Sequence, residues 1–252
     1  MIPFYSASLP ALSTPQMIEV DRVMMEDYQI SLTQMMENAG RNLAHLARER
    51  FLGGDPRGQK ITVLAGPGGN GGGALVCARR LHNWGATVSV MTAKAAEAFA
   101  PVPGQQLTIL QRLGVPVASA QAVNETKAAL VIDGLIGYSL RGAPRGGGAE
   151  LIRWANRQPA PILALDVPSG LDANDGAVYD PAIRATATMT LALPKAGLLA
   201  ETAAPQPGAQ VHDHVGELYL ADISVPPALY AGPAWQLGVG PIFARSDIVR
   251  IR

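Results

Sequence analysis

The apolar positions of this chain change their period near residue 60. Before that point they recur at helical spacing. Met17, Val20 and Met24 share one face, behind a start signal in which Ser13 or Thr14 caps the helix and Pro15 opens it. A second start signal, Ser31-Leu-Thr-Gln, leads into a longer amphipathic run through Met35, Ala39, Leu43, Leu46 and Phe51, and Gly53-Gly54-Asp55-Pro56 stops it. Residues 1–12 read as an irregular arm. From Lys60 onward, short and nearly continuous apolar runs alternate with helical patterns. The predicted strands are Ile61–Ala65, Ala86–Met91, a weak Val115-Pro-Val, Ala128–Asp133, Pro161–Asp166, Ala187–Ala192 and Gly216–Ala221. The predicted helices between them are Ala74–Trp84, Ala95–Leu113 with a break at Pro101 to Pro103, and Glu150–Gln158. Strands that are apolar on both faces and separated by helices belong to a parallel sheet covered on both sides. Right-handed crossovers make the expected fold a Rossmann-like, three-layer α/β/α sandwich with a mostly parallel central sheet. Residues 200–215, rich in Ala, Pro and Gln, read as a surface loop, and residues 232–252 as either a disordered tail or an extra strand.

The chain length of 252 residues accommodates one large domain or two small ones. The expectation is a single domain over 1–252, with a core over about 14–228 and a tail over about 232–252. Hydrophobic residues make up 48% and charged residues 16%, enough apolar material for a substantial core. Twenty basic residues balance twenty acidic ones, which speaks against binding nucleic acid or an anionic membrane through bulk charge. The lone Cys77 excludes an intrachain disulfide framework and a four-thiolate zinc site. The N-terminus lacks a positive leader, and no run approaches ~18 apolar residues. The expected setting is therefore cytoplasmic, without a membrane span.

In an open parallel sheet, ligands bind beyond the carboxyl ends of the strands. Three predicted strand ends here carry unusual sequence. The first is Gly66-Pro67-Gly68-Gly69-Asn70-Gly71-Gly72-Gly73, six glycines in eight positions between a strand and a helix. Glycines let a ligand approach bare backbone, and the N–H groups at the following helix start suit an anion. No Lys-Ser/Thr pair follows, so the run is not a P-loop. A merely flexible loop is the competing reading. The second is Asp133 to Gly142, and the third is Asp166-Val-Pro-Ser169-Gly-Leu-Asp172. Each places an acid at the end of a buried strand, which is costly without a partner. Two aspartates and an asparagine without histidine match oxygen coordination of a hard or alkali cation, while each acid alone can be a loop cap. Lys195, in Leu193-Pro-Lys-Ala-Gly197, either reaches this crevice or is exposed. His212-Asp-His214 has a zinc-compatible spacing but no further ligand nearby. His45 and His82 read as helix-surface residues, Cys77 as packed, and the Met24-Met25 and Met35-Met36 pairs as core and interface filler.

Met35-Met-Glu-Asn-Ala-Gly40, the glycine run 66–73, Val131-Ile-Asp-Gly-Leu-Ile-Gly137, Asp166-Val-Pro-Ser-Gly-Leu-Asp172 and Leu193-Pro-Lys-Ala-Gly197 occur in the order found in the YjeF N-terminal domain family. The chain resembles that family over roughly residues 14–228. The resemblance implies NAD(P)H-hydrate epimerase activity, which interconverts the R and S forms of NADHX and NADPHX so that an S-specific dehydratase can repair them. It implies a potassium ion held by Asn70, Asp133 and Ser169. It implies substrate contacts from Gly69, Asn70, Gly71, Gly72 and Gly73, from Gly137, Tyr138, Ser139, Leu140, Arg141, Gly142 and Ala143, and from Asp166. It also implies a homodimer, with a separate ADP- or ATP-dependent dehydratase as pathway partner.

The family loop reads G-P-G-N-N-G-G-D-G, so this chain has Gly69 in place of the first asparagine and Gly73 in place of the aspartate. Epimerisation at C6 requires water to leave and return, and therefore an acid–base group. With Gly73 unable to serve, Asp166 is the expected catalytic residue, assisted by an ordered water or Lys195. The competing reading is a catalytically silent domain that binds a nucleotide or acts as a dimeric scaffold. Retention of Asn70, Asp133, Asp166 and Ser169 favours the enzyme. An ordinary NAD dehydrogenase is disfavoured because Val90-Met-Thr-Ala93 lacks the ribose-binding acid expected ~20 residues after the glycine loop.

Overall fold

A computed structural model describes residues 1–120, 127–200, 210–233 and 235–252. Two helices precede the first strand, α1 (Thr14–Glu26) and α2 (Leu32–Phe51). Each begins with a reciprocal capping box, Ser13 with Gln16 and Ser31 with Gln34, which satisfies two otherwise orphaned backbone donors. The alternating region follows as β1 (Lys60–Ala65), α3 (Gly69–Asn83), β2 (Thr87–Thr92), α4 (Pro101–Arg112), β3 (Val117–Ser119), β4 (Leu130–Gly134), α5 (Gly146–Asn156), β5 (Ile162–Leu165) and β6 (Ala187–Leu191). It ends with α6 (His212–Val215), β7 (Glu217–Ala221), α7 (Pro227–Ala231) and β8 (Ile248–Arg250).

The strands form one sheet in the order β3-β2-β1-β4-β5-β6-β7-β8. Every pairing is parallel except β7 with β8, which is antiparallel. The order reverses direction between β1 and β4, so the loops after these two strands diverge and leave a crevice at their carboxyl ends. Val63, Val90, Ile132, Leu163 and Met189 point to one face, where Leu43, Leu46, Leu75, Ala78, Leu107 and Leu110 of α2, α3 and α4 cover them. Leu64, Val131 and Ala164 point to the other, against Leu151, Ile152 and Trp154 of α5. This is the expected three-layer sandwich. No helix among the described residues is long and apolar enough to cross a membrane.

Two local expectations change, the start of the helix after the glycine run and the end of the 200–215 loop, while the C-terminal segment and the arm become specific. The helix after the strand begins at Gly69, not Ala74, so Gly69, Gly71, Gly72 and Gly73 are helical rather than a flexible loop. Their purpose is close approach: a Cβ on Gly40 of α2 would lie 2.4 Å from Val76 Cβ, and one on Gly72 would lie 2.3 Å from Met36 Sδ. Residues 232–252 supply a strand, since β8 pairs Tyr219 with Arg250. The arm is bonded at both ends. Tyr5 N–H donates to Arg250 O at 2.8 Å, and Leu12 bridges the chain around Lys195. Of the expected surface loop, residues 201–209 lie outside the described residues, and its end is helical as α6.

Candidate active site

The ends of β1, β4, β5 and β6 meet where the sheet order reverses. At the end of β4, the Asp133 carboxylate is fully buried. Its Oδ1 accepts from the Ser169 hydroxyl at 2.7 Å and from Leu135 N–H at 3.1 Å, while Oδ2 accepts from Ser169 N–H at 2.8 Å. Ile136 N–H in turn donates to Ser169 Oγ at 2.9 Å. Burial outweighs these bonds and pushes the Asp133 carboxyl up to about 6. Among the described residues no cationic side chain pairs with it. Asn70 stands across the same loop: a Cβ on Gly137 would lie 3.2 Å from its Oδ1. The Asn70 amide nitrogen is buried without a hydrogen-bond partner, and a half-turn of the amide presents its oxygen there instead. One carboxylate, one hydroxyl and one amide oxygen fit a hard monovalent cation better than a thiophilic or imidazole-seeking metal.

Asp166 follows β5 in a left-handed conformation, φ 65°. Its N–H donates to Met189 O at 2.7 Å, which fixes the turn on β6. Its carboxylate forms an ion pair with Lys195 Nζ, with side-chain exposures of 5% and 0%. Lys195 also donates to Leu191 O at 2.8 Å, and Tyr138 N–H donates to Asp166 Oδ2 at 3.3 Å. The exposed-lysine alternative is thereby overturned: a charged head this deep is tolerable only because its partner is adjacent. The arm holds the lysine from the other side, through Leu12 N–H to Pro194 O at 2.8 Å and Ala196 N–H to Leu12 O at 3.0 Å.

A cavity of about 160 Å³ opens on this pair. Its walls include Met17, Asp21, Met35, Met36, Gly69, Asn70, Gly73, Gly137, Tyr138, Ser139, Leu165, Asp166 and Lys195. Met35 and Met36, expected as core and interface filler, are buried and also wall the pocket. Of the expected substrate residues, Gly69, Asn70, Gly73, Gly137, Tyr138, Ser139 and Asp166 line it. Gly71 and Gly72 sit buried in the first turn of α3 behind that wall. Leu140, Arg141, Gly142 and Ala143 continue outward from Ser139, and Arg141 and Ala143 are exposed. Gly73 presents no acid, and Leu165 Cδ2 would lie 2.9 Å from a Cβ placed there.

The site residue that sequence reasoning missed is Asp21. It lies on α1, and its Oδ2 accepts the Tyr138 hydroxyl at 2.5 Å. Burial pushes its carboxyl above the ordinary carboxylate range, against the opposing pull of Tyr138 and Lys195. The signal was present: Asp21 is four residues from Met17 and three from Met24, a charge on the apolar stripe of an amphipathic helix. The remaining candidates lie elsewhere. His214 is buried with Nδ1 2.8 Å from Ile183 O, and His212 is exposed. His45 packs at a tilt against Trp84 with 5.1 Å between ring centroids, and Cys77 is buried in α3.

Comparison with known proteins places this geometry. Residues 32–197 match the family model described as YjeF-related protein N-terminus. The NAD(P)H-hydrate epimerase of Dehalogenimonas lykanthroporepellens is 42% identical over 223 residues, covering 88% of this chain and 85% of the relative. The bifunctional NAD(P)H-hydrate repair enzyme Nnr of Moorella thermoacetica is 34% identical over 87% of this chain, which spans 41% of that longer relative. The crystal structure of yeast ynu0 superposes with a TM-score of 0.78 at 25% identity, covering 96% of this chain and all of that one. With a family match over most of the sheet and a relative of this identity across nearly the whole length, the chain belongs to the YjeF-related protein N-terminus family.

Proposed function

We propose that this chain is an NAD(P)H-hydrate epimerase, an isomerase that interconverts the R and S epimers of NADHX and NADPHX. The observation that carries the reading is the buried Asp166–Lys195 ion pair opening on a cavity at the sheet's strand ends. The relatives bearing that name support it. A cavity of about 160 Å³ is ring-sized, so the hydrated nicotinamide enters it while the remaining dinucleotide lies over the exposed Ser139–Ala143 loop. The first N–H groups of α3, at Gly69 and Asn70, lie at the cavity wall and suit the anionic pyrophosphate. The chemistry at C6 is the departure and return of water. Asp166 carries the proton for it, and Lys195 fixes the position of the carboxylate.

Asn70, Asp133 and Ser169 would hold potassium. Bound there, it supplies a positive charge beside the glycine turn that offsets the buried Asp133. Under this reading the chain works in the cytoplasm as a homodimer beside a separate ADP- or ATP-dependent dehydratase. Support for the dimer comes from α1, which leaves Ile18 and Met25 exposed at 52% and 39%. Support for the partner comes from bifunctional relatives whose length this chain covers by about two fifths.

A second reading, a silent binding domain, is favoured by one observation: Gly73 brings no acid into the pocket and Leu165 occupies the space. The deciding measurement is epimerisation of purified R-NADHX coupled to an S-specific dehydratase, with spontaneous epimerisation subtracted. It is run in potassium and in a non-coordinating cation. Potassium-dependent acceleration that Asp133→Ala abolishes is the expected result. No acceleration by folded protein that still binds the dinucleotide would instead establish the silent domain.

A further inference from the structure

We propose that Asp21 of α1, with the Tyr138 hydroxyl hydrogen-bonded to it, is a second acid–base residue of this pocket and takes over the proton-carrying duty that the glycine at position 73 cannot perform. The inference rests on the epimerase reading above and deepens it.

Four observations carry it. Asp21 lines the same cavity as Asp166 and Lys195 but reaches it from a helix, whereas Asp166 comes from a strand end. One residue joins the two acids: Tyr138 donates its backbone N–H to Asp166 Oδ2 at 3.3 Å and its hydroxyl to Asp21 Oδ2 at 2.5 Å. The other Asp21 oxygen, Oδ1, accepts no hydrogen bond from any described residue, which leaves it free for a ligand hydroxyl. Finally, α1 is tied to the site at its first turn, where the Thr14 hydroxyl donates to Tyr138 O at 3.3 Å. A structural aspartate on an apolar helix stripe would be expected to pair with a cation or with backbone donors. Among the described residues Asp21 does neither, and its hydrogen-bond partner there is a phenol that itself lines the cavity. The groups that face it are Tyr138, the buried Tyr230 of α7, Lys195 and Asp166. Burial keeps the protonated form of Asp21 accessible nearer neutrality than a surface carboxyl's.

The step balances with these groups alone. Asp21 gives its proton to the C6 hydroxyl as the C6–O bond breaks, the N1 lone pair forms N1=C6, and water departs. Water then forms a new C6–O bond on the other face, the N1=C6 electron pair returns to N1, and Asp166 takes the released proton. The turnover leaves Asp21 ionised and Asp166 protonated; the reverse epimerisation starts from that state, and another forward turnover follows once the two carboxyls exchange protons with solvent. Nothing is oxidised or reduced. Asp21 and Asp166 reach the cavity from different elements, α1 and the end of β5, so one can protonate the leaving oxygen while the other receives the proton of the entering water.

The test compares wild type, Asp21→Asn, Asp21→Glu and Tyr138→Phe in the coupled R-NADHX assay across pH, with thermal melting and dinucleotide binding of each variant. Asp21→Asn is expected to lower kcat about 100-fold or more, to leave KM within about threefold, and to remove one limb of the pH profile. Asp21→Glu restores part of kcat. Tyr138→Phe moves the same limb, because it removes only the hydroxyl that Asp21 accepts. Unchanged kcat in Asp21→Asn against an active wild type overturns this inference alone. So does a loss that raises KM and lowers kcat together with the pH profile intact, which marks a structural role. If Asp21→Asn does not fold, Tyr138→Phe decides, and a wild-type rate and profile there overturns the proposal. A wild type that accelerates nothing overturns the epimerase reading and this inference with it.

Discussion

Removing Lys195 tests how the active-site floor is built. The ammonium and the Asp166 carboxylate are both withdrawn from water, with side-chain exposures of 0% and 5%. Replacement of Lys195 by methionine keeps the apolar stem and deletes the charge. Asp166 then retains only Tyr138 N–H at 3.3 Å and the Thr190 hydroxyl at 3.4 Å, both long, and Leu191 O loses its donor. Breaking one side of a buried pair costs about 3–5 kcal/mol, because the remaining charge is stranded in a poorly polarisable interior. For a chain of this size that corresponds to a fall of about 6–20 °C in Tm. The second arm of the experiment is Asp166→Asn in the Lys195→Met background. Asparagine tolerates the left-handed backbone at this position, φ 65°, so the swap removes charge without adding backbone strain. Urea unfolding at neutral pH, followed by circular dichroism, measures both variants. The double variant should recover at least half of the stability lost by the single one. A Lys195→Met protein within about 1 kcal/mol of wild type, or a double variant no more stable than the single, would refute the reasoning that the pair is held together by mutual neutralisation.

Three further predictions follow from the packing. Gly40→Ala should destabilise the fold by about 1–3 kcal/mol in urea unfolding, since the new methyl meets the backbone oxygen of Gly73 at 2.5 Å and cannot be moved aside by a rotamer change. Gly73→Asp, which restores the acid of the usual family loop, should lower Tm. In a double-mutant cycle with Leu165→Ala the two losses should be less than additive, because Leu165 Cδ2 would stand 2.9 Å from the new Cβ. His214 gives a pH dependence. Burial pushes its imidazole below the ordinary 6.5, so as pH falls through that value the unfolded chain gains a proton before the folded one. This contribution to stability is complete above 6.5 and is lost below it. Asp133, whose carboxyl burial pushes up to about 6, adds the opposite slope in the same window, so His214 is read as a difference: from pH ~7.5 to ~5.5 the urea midpoint of wild type should fall relative to that of His214→Gln.

The sequence by itself determined the alternation of strands and helices, the parallel sheet and three of the strand ends that build the crevice. These are local signals. A run such as Ala128–Asp133, apolar on both faces, can be stable only between two covering layers, and an aspartate closing such a run must sit at a strand end near a partner. The capping serines were legible for the same reason, because a cap and its helix lie within four residues of each other.

What the tertiary structure alone decided depends on contacts between residues distant in sequence. The glycines at 69–73 are helical because α2 presses against α3 through Gly40 and Met36, some thirty positions earlier, and no local pattern encodes that approach. Lys195 could be read as buried or exposed until Asp166 and the arm residue Leu12 were brought beside it. Asp21 carried a faint mark, a charge on an apolar stripe, but its meaning came only when Tyr138, more than a hundred residues later, reached it across the cavity. A side chain's intrinsic chemistry is written in the sequence. Its partner, its burial and hence its protonation are properties of the space the fold creates around it.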